Sequence, residues 1–174
     1  MAVTPITASK LMPLRGDKRW AYLTRAKSIR IATVNEDGTI YLTPLWHVVH
    51  EKKIYIPFDA GSRHAANVEA GRALSALVDA GDEYATVHGV RIHGGLQAVT
   101  DEGLLATLQD LVFEKYFHVG HPYGESYVEF GEVAGRTYYE LVPDKMIGWD
   151  MREGTTLAMP EARVLPAHVG DRLA

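Results

Sequence analysis

Apolar and polar positions alternate along much of the chain. The run "SIRIATV" (residues 28–34) alternates and is β-branched, which predicts a strand with one face buried. "NEDG" follows, and Asp-Gly accepts the positive φ of a tight hairpin turn. "TIYLTPLWHVVH" then reads as one long strand, "EKK" as a turn and "IYIPF" as the returning strand. Pro44 interrupts the long strand. Proline cannot donate to a ladder, so that position belongs to an edge, a bulge or a stretch of backbone facing something other than a strand. "ALSALVD" predicts a buried strand. "ATVHGVRIHGGLQAVT" predicts a long one, with Gly89, Gly94 and Gly95 as places where bulges curl the sheet. "RTYYELVP" and "DKMIGWDM" close the pattern as two strands.

Helical spacing occurs in three places. Asp17 can cap a helix reaching to about Lys27, with Trp20, Leu23 and Thr24 on one stripe. Ser62 can cap a short helix ending near Gly71. "DEGLLATLQDLVFEKYF" carries an apolar stripe of Leu104, Leu108, Leu111 and Val112, with Asp101 and Glu102 at its positive end. Residues 118–135 are Gly-rich and give no clear period. The expectation is therefore a mainly β fold: an antiparallel barrel of about six strands with flanking helices. Residues 1–16 form an N-terminal arm, 17–151 the domain and 152–174 a C-terminal tail. Alternating βα units are missing, which excludes a doubly wound parallel sheet.

Composition narrows the function. The 174 residues are 47% hydrophobic and 23% charged, the make-up of one ordinary globular domain. The net charge of −4 argues against a nucleic-acid binder that uses a basic face. No apolar run is long enough to span a membrane and the N-terminus lacks a signal-peptide core, so a cytoplasmic protein is expected. With no cysteine there is no disulfide framework, thiolate metal site or cysteine nucleophile. His118 and His121 have a spacing compatible with metal ligation, but no third ligand lies near, and no metal site is assigned. No GxSxG, P-loop, GxGxxG or H-E-x-x-H occurs.

One short stretch is electrostatically odd. In "FDAGSRHAANVEA" the helix capped by Ser62 begins with Arg63 and His64. A helix start is the positive end of the macrodipole, where a cation costs up to about 1 kcal/mol. Either these are solvated surface charges, or an anion occupies that end, held by Ser62 and the Arg63 fork with Asn67 one turn on.

Taken in order, these segments resemble the pyridoxamine 5'-phosphate oxidase-like group of FMN-binding split β-barrels, over about Arg19 to Asp150. The matching elements are a strand ending in DG, a "TP-x-W" strand, "S-R-x-x-x-N", a strand entering "V-R-I-x-G", and the closing "PDKMIGWD". The resemblance implies a homodimer with cofactor sites at the interface, and a flavin-dependent oxidoreductase passing hydride to or from a small organic substrate. It implies FMN as cofactor, with the deazaflavin F420 as the alternative. By resemblance, Thr43, Pro44, Leu45 and Trp46 run along the flavin ring, Pro57 precedes the phosphate helix, and Ser62, Arg63, His64 and Asn67 form that helix's site. Arg91 approaches from the other side and Trp149 from the partner subunit. His64 stands where true pyridoxamine phosphate oxidases carry lysine, and no pyridoxal phosphate site is recognisable. A second class remains open, a non-catalytic flavin or haem binder, with His47, His50, His88 and His93 as haem candidates. No catalytic residue is assigned, because a flavin carries the redox chemistry itself.

Overall fold

The computed structural model describes residues 12–117 and 121–154. Helix α1 (Gly16–Arg25) leads into β1 (Ile29–Val34), β2 (Ile40–Leu45), β3 (Val48–His50) and β4 (Lys53–Phe58). Helix α2 (Arg63–Glu69), β5 (Leu74–Ala80) and β6 (His88–Ala98) follow. Then come α3 (Glu102–Tyr116), α4 (Gly124–Val133), β7 (Thr137–Asp150) and a 3₁₀ turn (Met151–Gly154). All strand pairs are antiparallel, in the order β2-β1-β5-β6-β7-β4-β3.

The strand order shows the shape. β2 and β3 lie at opposite edges of the sheet, yet only Trp46 and His47 separate them in sequence. Two residues span no more than about 10 Å, so the sheet must curl until its edges nearly meet at this seam. The result is a split barrel with flanking helices. Among the described residues it has seven strands where about six were expected, and two segments divide differently: the one read as a single strand breaks at Trp46–His47, and the closing segment read as two is a single β7. Pro143 invited that division. It sits beyond Leu141, the last residue of β7 paired with β4, so its missing N–H breaks no ladder on that side. Beside it, Asp144 is an extra residue opposite His93 and Gly94. This bulge falls at one of the glycines expected to curl the sheet. A Cβ at Gly94 would overlap the Val142 carbonyl oxygen.

The core fills the barrel with Ile29, Ile31, Ile54, Ile56, Val78, Val90 and Ile92, all at most 1% exposed. A second cluster lies under α3, where Leu108 and Val112 pack on Val48, Tyr55 and Tyr138. In α1 the buried residues are Tyr22 and Leu23, with Thr24 exposed, and Asp17 lies inside the first turn while Arg15 holds the cap position. Leu14 is buried, and its N–H donates to the Gly148 carbonyl, so the end of the expected arm is part of the domain.

At the seam, His47 has no ladder partner, and α3 satisfies its backbone. The His47 N–H donates to the Tyr116 hydroxyl (3.0 Å), while Lys115 Nζ donates to the His47 carbonyl (2.8 Å). The His47 ring contacts the Leu23 carbonyl (2.8 Å), tying α1 to the same corner. An unmet buried polar group costs about 1–3 kcal/mol, so the contacts from both helices stabilise this corner.

Candidate functional site

A cleft of about 660 Å³ opens where β2, the end of β4 and the start of α2 meet. Thr43, Pro44, Leu45 and Trp46 form one wall, and Pro57 and Phe58 another. Ser62, Arg63 and His64 close the end. Eight of the eleven expected site residues therefore line one cavity, from three separate stretches of chain. Pro44 is exposed on an edge strand, where its missing N–H can face the cleft at no cost to the ladder.

Local rules explain the α2 end. The Ser62 side chain accepts from the Ala65 N–H (3.3 Å), as an N-cap should. The two basic residues then part. Arg63 is exposed, with its guanidinium 5.1 Å from the Tyr41 ring centre and no ion pair among the described residues. His64 is 3% exposed, and burial pushes its imidazole down to about 4. It is neutral at pH 7 and adds no charge to the dipole. The electrostatic oddity is thus confined to Arg63.

His64 sits in a chain of hydrogen bonds. Its Nδ1 lies 3.0 Å from Thr33 Oγ1 and its Nε2 2.7 Å from Thr43 Oγ1. Asn67 Nδ2 donates to Thr33 Oγ1 (2.9 Å) and to Asn35 Oδ1 (3.0 Å), while Arg72 donates to Asn67 Oδ1 (3.0 Å). Thr33 is 1% exposed, so its own hydroxyl proton needs an acceptor, which His64 Nδ1 provides. The imidazole proton then resides on Nε2 and is donated to Thr43. Thr43 accepts from His64 and keeps its hydroxyl proton for the cleft. Asn67 is buried beneath the cavity and acts through this chain, without lining the cleft.

Arg91 and Trp149 do not line the cleft of their own chain. Arg91 is exposed on β6, opposite Leu77 and Ile147, and Trp149 is half-buried on β7, opposite Gly89. The haem candidates His47, His50, His88 and His93 also lie outside it. His93 Nδ1 contacts Ser75 Oγ (2.8 Å) and His88 Nδ1 the Thr86 carbonyl (2.7 Å). His118 lies outside the described residues.

Sequence reasoning missed several lining residues: Lys27, Ser28, Tyr127 and Arg136. Arg136 is largely buried. Its Nε donates to Asp59 (2.8 Å), and its guanidinium lies 4.4 Å from the Tyr127 ring centre. Its Nη1 is buried without a well-formed hydrogen bond. Its partner is 77 residues distant in the chain, so no local pattern marks it.

The sequence profile of pyridoxamine 5'-phosphate oxidase matches residues 17–150. The chain belongs to the pyridoxamine 5'-phosphate oxidase family. A search of curated proteins finds no match. Among solved structures, the conserved hypothetical protein Rv2991 of Mycobacterium tuberculosis is similar, with a TM-score of 0.71 at 22% identity, covering 90% of this chain and 96% of that one. HutZ, the haem storage protein of Vibrio cholerae, has a TM-score of 0.60 at 15% identity, covering 81% and 99%. The FAD-binding protein of Mycobacterium smegmatis has a TM-score of 0.55 at 18% identity, covering 78% and 95%. At these identities the likeness establishes the fold. Among the described residues no helix is long and apolar enough to cross a membrane.

Proposed function

We propose that the chain is an FMN-dependent oxidoreductase acting on a small organic substrate, with the cofactor held in the cleft between β2 and α2. The observation that carries this reading is the convergence of eight expected residues on one cavity. The cleft suits a ligand with an anion at one end and a flat ring at the other. Arg63 is an exposed cation in no ion pair among the described residues, with the Asp37 carboxylate as its acidic neighbour, Thr43 offers an oriented hydroxyl donor, and Trp46 and Tyr127 are aromatic walls. Its volume lies within the range of small-molecule sites. Bound FMN would supply hydride transfer, and the chain's own residues would bind and orient it.

F420 is the weaker fit. Its polyglutamate tail would need cations beyond Arg63. There the groove is lined by Glu36 and Asp37 as well as Arg72, and Arg72 is already engaged by Asn67 and Glu36. Haem is weaker still: among the described residues His64 is the histidine lining the cleft, and both its ring nitrogens face threonine hydroxyls.

The same proposal includes a homodimer. Ile40 (64% exposed) and Leu42 (59%) form an apolar row on the outer side of edge strand β2, and Arg91 and Trp149 are left for the second copy's cleft. Light scattering should give twice the 19.2 kDa chain mass, and a monomer at micromolar concentration would remove the shared site.

Titration with FMN and with riboflavin tests the cofactor reading. Riboflavin lacks only the phosphate, so it should bind about tenfold or more weakly, because a charge-assisted phosphate hydrogen bond contributes about 1.5–3 kcal/mol. Equal affinities would remove the phosphate site from the account.

A further inference from the structure

We infer that a second pocket, between the seam and helices α3 and α4, binds a neutral, flat aromatic molecule. This binding chemistry does not depend on the FMN reading.

The pocket holds about 370 Å³. Seven of its eight lining side chains carry rings, and the eighth is Ser126. None is Asp, Glu, Lys or Arg. The rings are ordered against one another. Trp46 stacks on Tyr116 with ring centres 4.4 Å apart and planes 8° from parallel. Phe117 meets Trp46 edge-on at 5.6 Å, and Tyr127 lies 5.4 Å from it. Burial pushes the Tyr116 phenol up to about 12, so that wall stays uncharged.

Such a lining selects by shape and charge. Ring faces and edges gain most from another ring in an offset or edge-on arrangement. A charged ligand would lose its hydration and meet no carboxylate, ammonium or guanidinium in the lining, only the His121 imidazole and neutral hydroxyls. Trp46 and Tyr127 line this pocket and the cofactor cleft alike, so a ligand here is separated from a ring in the cleft by one layer of side chains. The volume fits one or two fused rings, near the lower limit of small-molecule sites.

Calorimetric titration of the full chain with 1,4-naphthoquinone tests the inference. The chain has no cysteine, so no thiol adduct can imitate binding. Saturable 1:1 binding at micromolar concentration is expected. 1-Adamantanol, apolar but globular, should bind at least tenfold more weakly. Ser126→Trp fills the pocket from an exposed helix position and should weaken naphthoquinone binding at least tenfold, while FMN affinity stays unchanged. Tyr123→Ala removes a ring that is 69% exposed, so the fold is spared, and should weaken naphthoquinone binding severalfold. No binding to the wild type overturns the inference, as does undiminished binding to both variants. Adamantanol binding as tightly as the quinone overturns the flat-ring selectivity. Affinity that falls as protein concentration rises would give the pocket to a second copy instead. If FMN fails to bind while naphthoquinone behaves as expected, the cofactor reading falls and the aromatic site stands.

Discussion

Lowering the pH from 7 to 4.5 is expected to cost the apo protein several kcal/mol of stability, with the melting temperature falling by roughly 10 °C or more. Two buried histidines carry this effect. Burial, with Lys115 nearby, pushes His47 down to about 3, and burial pushes His64 down to about 4. Both titrate near 6.5 once unfolded. Their folded values are the depressed ones, so between pH 6.5 and 4 the unfolded chain binds more protons. Stability is therefore full above pH 6.5 and is lost as the pH falls. A shift of one unit is worth about 1.4 kcal/mol, so each histidine contributes on the order of a few kcal/mol against a typical total of about 5–15. Thermal melts across this window should slope steeply, and His64→Asn should flatten part of the slope. A flat profile down to pH 4.5 would mean that these imidazoles are solvated and that His64 is not held neutral between Thr33 and Thr43. Lys115 gives the alkaline counterpart. Burial, then Lys27, lowers its ammonium to about 7. Stability should rise further as the pH climbs from 7 toward 10, where the unfolded lysine still holds its proton.

The second large effect concerns Arg63. Arg63→Ala should weaken FMN binding about tenfold or more, since a lost charge-assisted hydrogen bond of about 1.5–3 kcal/mol exceeds the 1.4 that makes a factor of ten. Riboflavin affinity should not change, because it carries no phosphate for Arg63 to meet. Apo stability should stay within about 0.5 kcal/mol, as expected of an exposed side chain. The lost contact with Tyr41 is opposed by relief at the positive end of α2. Equal losses for FMN and riboflavin would show that Arg63 shapes the cleft without contacting phosphate.

Much of this was legible in the chain because local physics decides it. "SIRIATV" alternates, and its residues point alternately into and out of the core. Ser62 caps α2, and Asp101 caps α3 through the Leu104 N–H (2.7 Å). What escaped depends on long-range partners. Helix α4, "GESYVEFGEV", carries two glycines and lacks a side-chain cap, so nothing local announces it. Its Tyr127 instead packs on Trp46, 81 positions earlier in the chain, which no periodicity reveals. His64 looked like a charge because sequence does not show burial. Only Thr33 and Thr43, brought over it by β1 and β2, reveal a neutral imidazole. The seam at Trp46–His47 was hidden because both flanks read as strand, and only curling of the sheet separates them.

Hydrogen exchange with and without FMN is the most direct test of where the cofactor sits. On saturation, amides of residues 41–46 and 62–67 should slow, while α3 and the β5–β6 ladder exchange as before. Protection confined to other segments, or none at saturating FMN, would contradict a cofactor site between β2 and α2.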